Sequence, residues 1–224
     1  MAGKRSYDDG CATAHALDLV GERWALLVVR ELLLGPKRFT DLREGLPGIS
    51  PNVLSQRLRE LEQAGVVRRS KLGPPYGAKV YELTEWGVQL EPVIVQLGRW
   101  ACRSPWLAHD AEVGTDSLIL ALRTLFDPVA ARAFAATFTL VLGEQSFEIV
   151  VRQGRFRVSR GGADRPDAVI DTDVQTLNAL LWGSRKLSEA VRGDAVRIAG
   201  PRALVSRLLT LFPLPEQAPL LTGT

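Results

Sequence analysis

A chain of 224 residues, 46% hydrophobic and 24% charged, has material for one large or two small packed domains, which argues against global disorder. No apolar run reaches the roughly 20 residues that a membrane-spanning helix needs, and the polar start lacks a signal-peptide apolar region, so a cytoplasmic protein without membrane insertion is expected. The net charge is +3, and two cysteines (Cys11, Cys102) and two histidines (His15, His109) exclude a disulfide framework and the usual zinc spacings; neither a metal nor a cofactor is called for.

Residues 12–20 read as a short first helix, interrupted by Gly21. A second helix is expected over 22–34, where Trp24, Leu27 and Val28 recur at i, i+3 and i+4 until Gly35-Pro36 ends it. A third, over 39–46, carries Phe39, Leu42 and Leu46, with Thr40 near its start. Ser50 then suits an N-cap and Pro51 the first helical position, where a missing N–H costs nothing. This fourth helix should run to Ala64, with Gly65 in the left-handed C-terminal position. Residues 66–70 and 80–83 read as strands joined by a Gly- and Pro-rich loop containing Pro74-Pro75. Thr84 caps a helix expected over 85–101, striped by Leu90, Val93, Ile94, Leu97 and Ala101, which Pro92 should kink or split.

Short helices followed by a strand hairpin are the parts of a winged helix-turn-helix. On a wheel of about 100° per residue, Leu54, Leu58 and Leu61 anchor one face of the fourth helix to the core. The opposite face presents Asn52, Gln56, Arg59 and Gln63, with Ser55 at its edge. Asn and Gln can pair with adenine edges and Arg with guanine, while Ser50, Ser55 and helix N-terminal amides can hold phosphate. Between Lys37 and Lys79, nine basic residues stand against four acids, a net of +5, whereas residues 108–224 carry thirteen of each. Such a concentration suits a polyanion as well as a solvated surface; the helix and hairpin around it favour duplex DNA. The expected contacts are Lys37, Arg38, Thr40, Ser50, Asn52, Ser55, Gln56, Arg57 and Arg59, with Lys71, Tyr76 and Lys79 from the hairpin.

Residues 11–101 resemble the HxlR family of winged-helix regulators, relatives of the MarR type. The strings that carry the resemblance are Leu17-Asp-Leu-Val-Gly-Glu-Arg-Trp24, Arg30-Glu-Leu-Leu-Leu-Gly-Pro-Lys-Arg-Phe39, Leu46-Pro-Gly-Ile-Ser-Pro-Asn-Val-Leu-Ser-Gln-Arg-Leu-Arg-Glu-Leu-Glu62 and Tyr81-Glu-Leu-Thr-Glu-Trp-Gly87. The resemblance implies a transcription regulator whose terminal helices form a homodimer, here through Leu90, Val93, Ile94, Leu97 and Trp100. Its fourth helices would lie about 34 Å apart on a pseudo-palindromic operator. The family commonly has a cysteine at the place of Cys11, and some members sense oxidants with it. His15 at i+4, or nearby Lys4 and Arg5, would favour a thiolate there; the other reading is a buried small hydrophobe.

The second half reads as a separate α+β domain: a helix over 116–126, strands over 138–142, 146–151 and 155–159 with turns at Gly143-Glu144 and Gln153-Gly154, and a strand over 168–171. Asp173 caps a helix through Trp182, a short helix spans 187–191, a strand 196–198, and an amphipathic helix 201–212. Consecutive hairpins imply an antiparallel sheet. Ala168-Val-Ile-Asp-Thr-Asp173, Leu177-Asn-Ala-Leu-Leu-Trp-Gly183 and Leu187-Ser-Glu-Ala-Val-Arg-Gly-Asp-Ala-Val-Arg-Ile-Ala-Gly200 resemble the sterol carrier protein-like fold, with its spacing of Gly183, Gly193 and Gly200. The resemblance implies an apolar tunnel for a lipid-like or other apolar small molecule. Phe134, Phe138, Leu177, Leu180, Trp182, Leu187, Leu208 and Phe212 would line it, or would fill an ordinary core.

The expected organisation is α+β: a winged helix DNA-binding and dimerisation domain over 1–106, a linker over 107–114, the sterol carrier protein-like domain over 115–214 and a tail over 215–224. With no nucleophile–base motif and no phosphate loop, and with Asp164, Asp167, Asp171 and Asp173 in turn and strand context, a non-enzyme is expected. The alternative is a lipid carrier or enzyme with an accessory winged helix.

Overall fold

In the computed structural model the described residues are 6–71, 73, 77–107, 112–183 and 185–219. The chain divides into two compact units, Met1–Ile94 and Val95–Thr224. The division falls twelve residues or more before the linker expected at 107–114, and it lies inside a helix.

The first unit contains α1 (Ala12–Val20), α2 (Ala25–Leu32), α3 (Phe39–Glu44), α4 (Pro51–Gln63), β1 (Val67–Lys71), β2 (Lys79–Leu83) and α5 (Glu85–Val88), and it holds the start of α6 (Glu91–Ala101). The second helix starts three residues later than its periodicity suggests. Trp24 takes a left-handed φ of +77° and serves as N-cap, so the chain turns after Gly21 and cannot yet be helical. The capping signals at α4 act as expected: Ser50 Oγ accepts from the Val53 amide at 3.3 Å, and Gly65 has φ +72°. Pro92 falls in the first turn of α6, where it costs nothing, and the expected single helix over 85–101 becomes two.

Val28, Val29, Leu42, Leu46, Leu54, Leu58 and Leu61 are buried together under the β1–β2 hairpin. The hairpin is closed onto this core at Gly87, where a Cβ would stand 2.1 Å from the Val66 carbonyl, so no other residue fits. Lys37 and Tyr81 exchange backbone hydrogen bonds at 3.0 and 2.8 Å, which ties the segment before α3 to the edge of β2.

The second unit contains the rest of α6, then α7 (Thr115–Leu125), β3 (Ala136–Leu142), β4 (Gln145–Arg152), β5 (Arg155–Arg160), β6 (Ala168–Thr172), α8 (Val174–Leu181), α9 (Leu187–Arg192), β7 (Val196–Ala199) and α10 (Arg202–Leu209). Its five-stranded sheet has the order β5-β4-β3-β6-β7. Three pairings are antiparallel, but β3 and β6 run parallel, which corrects the expectation of a wholly antiparallel sheet. The cause is the connection over 161–167. Gly161 N donates to Ser146 O, Ala163 N to Thr139 Oγ1 and Asp167 N to Thr137 O, so the connection crosses β4 and β3 and delivers β6 to the far side of β3.

Along β3 the side chains alternate between buried and half-buried, as a sheet covered on one face requires. The core is Phe138, Leu140, Phe147 and Ile149 from the sheet against Leu118, Ile119, Leu122, Val205 and Leu208 from the helices. Phe126, Phe156 and Phe212 form a ring cluster at 5.2–6.0 Å. Asp116, buried in the first turn of α7, accepts twice from Arg160 Nη2 at 2.7 and 2.6 Å and so ties α7 to the edge strand β5.

The residues expected to line a tunnel are for the most part core. Phe138, Leu177, Leu208 and Phe212 are buried, Phe134 stacks on Phe138 at 6.3 Å, and Leu180 and Leu187 are half-buried. Trp182 is half-buried with its indole N–H donated to the Phe212 carbonyl at 2.8 Å, and it alone of the eight lines the cleft of about 240 Å³ described below.

Candidate nucleic-acid interface

The α4 helix presents two chemically distinct faces. Leu54, Leu58 and Leu61 are at most 1% exposed, while Asn52, Gln56, Arg59 and Gln63 are exposed and Ser55 is half-buried. Gln56 Nε2 donates to Glu60 Oε1 at 3.0 Å, an exchangeable contact along the helix. Arg59 has no ion-pair or hydrogen-bond partner among the described residues, so its guanidinium is available to an external acceptor.

Two of the expected contacts lie elsewhere. Arg57 is buried, held by charge between Glu60 on its own helix and Glu22, 3.6 Å away in the turn between α1 and α2. It lies three residues after Leu54 and four before Leu61, so the helical spacing puts it at the flank of the core stripe. Lys37 Nζ donates to the buried carboxylate of Glu31 at 2.5 Å, and Arg30 holds the other oxygen of that carboxylate at 2.9 Å. Arg38 and Thr40 are exposed at the start of α3, where Thr40 Oγ1 donates to Asp41 and the Arg38 amide does the same at 3.1 Å.

In the hairpin, Lys71 pairs in register with Lys79, and both are exposed. Like charges facing across strands oppose the fold and favour an anion between or beside them. The neighbouring cations are neutralised: Arg68 on Glu82 at 2.8 Å, and Arg69 on Glu62 at 2.9 Å with its guanidinium over the Tyr81 ring. Tyr76, Pro74 and Pro75 lie outside the described residues, as do Lys4, Arg5 and His109. A cation that sequence reasoning left aside is Arg43, exposed on α3 with no ion pair among the described residues.

Cys11 is exposed and is the N-cap of α1. Its thiol is held below the ordinary range by the backbone amide of Ala14, then by the amide and hydroxyl of Thr13. These are amides of the first turn of α1, whose partial positive charge stabilises a thiolate. Cys102 is half-buried, and desolvation pushes its thiol up.

On α6, Val93, Leu97 and Trp100 are exposed, while Leu90 and Ile94 pack partly against the core of the first unit. An apolar groove of about 230 Å³ in that unit is lined by Ala16, Leu19, Val20, Trp86 and Leu90.

A helix-turn-helix with an outward polar α4, followed by a basic hairpin, defines a winged helix DNA-binding transcription regulator. Residues 19–109 match the model of the HxlR-like helix-turn-helix family. The chain is 40% identical over 86 residues to the uncharacterized HTH-type transcriptional regulator YvaP of Bacillus subtilis, spanning 80% of that protein and 38% of this one. It is 41% identical over 86 residues to the HTH-type transcriptional regulator YodB of the same organism, spanning 77% of it and 38% of this chain. The chain belongs to the HxlR-like helix-turn-helix family. Among solved structures, the reduced form of YodB aligns over its full length and 46% of this chain, at 35% identity and TM-score 0.38. The sec-alkylsulfatase Pisa1 from Pseudomonas sp. aligns at 17% identity and TM-score 0.43, over 45% of this chain and 16% of that one. Among the described residues, no helix is long and apolar enough to cross a membrane.

Proposed function

We propose that the protein acts in the cytoplasm as a homodimeric, MarR-like regulator on a pseudo-palindromic operator, each α4 in a major groove and each hairpin on flanking phosphate. The observation that carries this reading is the exposed set Asn52, Arg59 and Gln63, opposite a fully buried Leu54-Leu58-Leu61 anchor. The proposed contacts are Arg38, Thr40, Ser50, Asn52, Ser55, Gln56, Arg59, Lys71, Tyr76 and Lys79. Lys37 and Arg57 instead hold the frame that positions them. The second copy covers Val93, Leu97 and Trp100 of α6 together with α1, which supports a dimer because these side chains are otherwise left in water.

Control is proposed at two points. Oxidation of Cys11 is supported by its exposure and lowered thiol pKa. An apolar ligand in the second unit is supported by the sterol carrier protein-like glycine pattern. In particular, Gly200 has φ +113°, and a Cβ there would lie 2.6 Å from the Asp167 carbonyl. The test is titration of the purified protein onto genomic fragments across a salt series. Tight binding to a few fragments, with log affinity falling linearly in log salt, is the expected result; equal weak affinity for all fragments would overturn the operator reading.

A further inference from the structure

The second unit holds a cleft of about 240 Å³ that shares only Trp182 with the residues expected to line a tunnel. Leu107 comes from the connector after α6, Ala121 and Leu125 from α7, Trp182 from the end of α8, and Leu214 from the segment after α10. Apolar surface dominates its walls, and none of its lining residues among the described residues is charged. One side chain breaks the pattern. Asn178 faces the cleft half-buried, and its amide has no hydrogen-bond partner among the described residues.

These features limit what fits. An ion entering the cleft would lose its hydration with no opposite charge among the described lining residues to meet it, which favours a neutral occupant. An apolar cavity of about 150 Å³ accommodates benzene, so this one suits a molecule of about ten non-hydrogen atoms. A sterol or a long acyl chain exceeds that space. The unpartnered amide offers an NH2 group to a ligand carbonyl, and its NH2 or oxygen to a ligand hydroxyl.

We infer that this cleft binds a small neutral molecule with an apolar body, about the size of one substituted ring, whose single carbonyl or hydroxyl hydrogen-bonds to Asn178. The inference rests on the reading that the second unit takes an apolar ligand, and it assigns that ligand a place and a size. Cys102 on the cleft wall supplies the readout, because an occupant stands between its thiol and an external reagent. Burial keeps this thiol protonated, so the wall stays uncharged at neutral pH. The residue directly follows α6, which begins in the first unit and ends in the second.

The experiment uses the full chain carrying Cys11→Ser, which leaves Cys102 as the only thiol. Alkylation of Cys102 by N-ethylmaleimide is timed at mildly alkaline pH with acetophenone, ethylbenzene or hexadecanoic acid present, and retention of each probe is followed separately by native mass spectrometry. Acetophenone should slow alkylation saturably, and ethylbenzene should need about three- to tenfold more for the same protection, the worth of one hydrogen bond. Asn178→Leu should abolish that difference. Ala121→Leu, which narrows the cleft without touching Asn178, should weaken both probes, and it serves where the first variant does not fold. Equal protection by acetophenone and ethylbenzene would overturn the role of Asn178. Hexadecanoic acid retained while Cys102 reacts at its free rate would overturn this site and leave the broader ligand reading standing. No retention of any probe would remove both.

Discussion

Glu31 and Lys37 form an ion pair at 2.5 Å across the Gly35-Pro36 turn, with the Glu31 carboxylate only 2% exposed. A cation expected to meet DNA phosphate is therefore committed to the interior. Gly45 makes room for the pair, since a Cβ there would stand 2.2 Å from Glu31 Oε2. Lys37→Met should lower the unfolding free energy by about 1–3 kcal/mol, because Glu31 keeps Arg30 but loses its closer partner. The salt slope of DNA binding should stay unchanged. Urea unfolding and salt-dependent titration check the two halves; unchanged stability with a slope reduced by about one would return Lys37 to the phosphate contacts.

The outward residues of α4 and the hairpin lysines should fail differently. Arg59→Ala should cost about 1–3 kcal/mol on the operator and much less on scrambled DNA, as loss of a base contact does. Lys71→Ala or Lys79→Ala should weaken both DNAs about equally and flatten the salt slope, and each removes a like-charge neighbour across the hairpin. Titration of both DNAs tests this. Equal loss of discrimination in all three variants would show that the hairpin reads bases too.

A dimer built on α6 predicts that Leu97→Asp releases folded monomers. The side chain is 47% exposed in the single chain, so the variant has little to lose in its own fold. Paired with a second copy it would bury an uncompensated charge. Sedimentation should show half the mass with an unchanged circular dichroism spectrum. A folded dimer would place the interface elsewhere.

For Cys11 the sign of the pH effect follows from the lowered thiol pKa. The thiolate is the nucleophile, so alkylation of Cys11 should reach half its limiting rate at a lower pH than an unperturbed thiol, and well below Cys102, whose pKa is raised. Rates measured on Cys11→Ser and Cys102→Ser across pH separate the two. Thr13→Val removes the hydroxyl contribution and should move the Cys11 midpoint upward by part of the shift.

Much of this was legible in residue spacing. Ser50-Pro51 and Gly65 mark the two ends of α4 because capping chemistry is local, and the polar face of α4 follows from counting around Leu54, Leu58 and Leu61. Three features were missed, two of them for a non-local reason. Lys37 finds Glu31 across a turn, where no helical period applies. Arg57 was read by its charge although its spacing placed it beside the core. The parallel β3–β6 pairing depends on a seven-residue connection that crosses the sheet with no helix to announce it. The Asn178 cleft escaped for a fourth reason: its walls come from four separate stretches of chain, and its one polar group sits in the middle of an apolar string.

Arg103 gives the molecule an unexpected seam. Its carbonyl accepts from the Ala218 amide at 2.8 Å, and its Nε donates to the Glu216 carbonyl at 3.0 Å. The stretch of chain after Phe212 thus returns to lie beside the residue just past α6, so the unit is fastened shut like a belt whose buckle is three residues wide. Trimming what looks in sequence like a proline-rich tail would undo the buckle at the other end of the unit and strip Leu214 from the cleft. A protein engineer would find Arg103 and Ala218 already side by side, a natural place to rejoin this unit's chain and open it somewhere new.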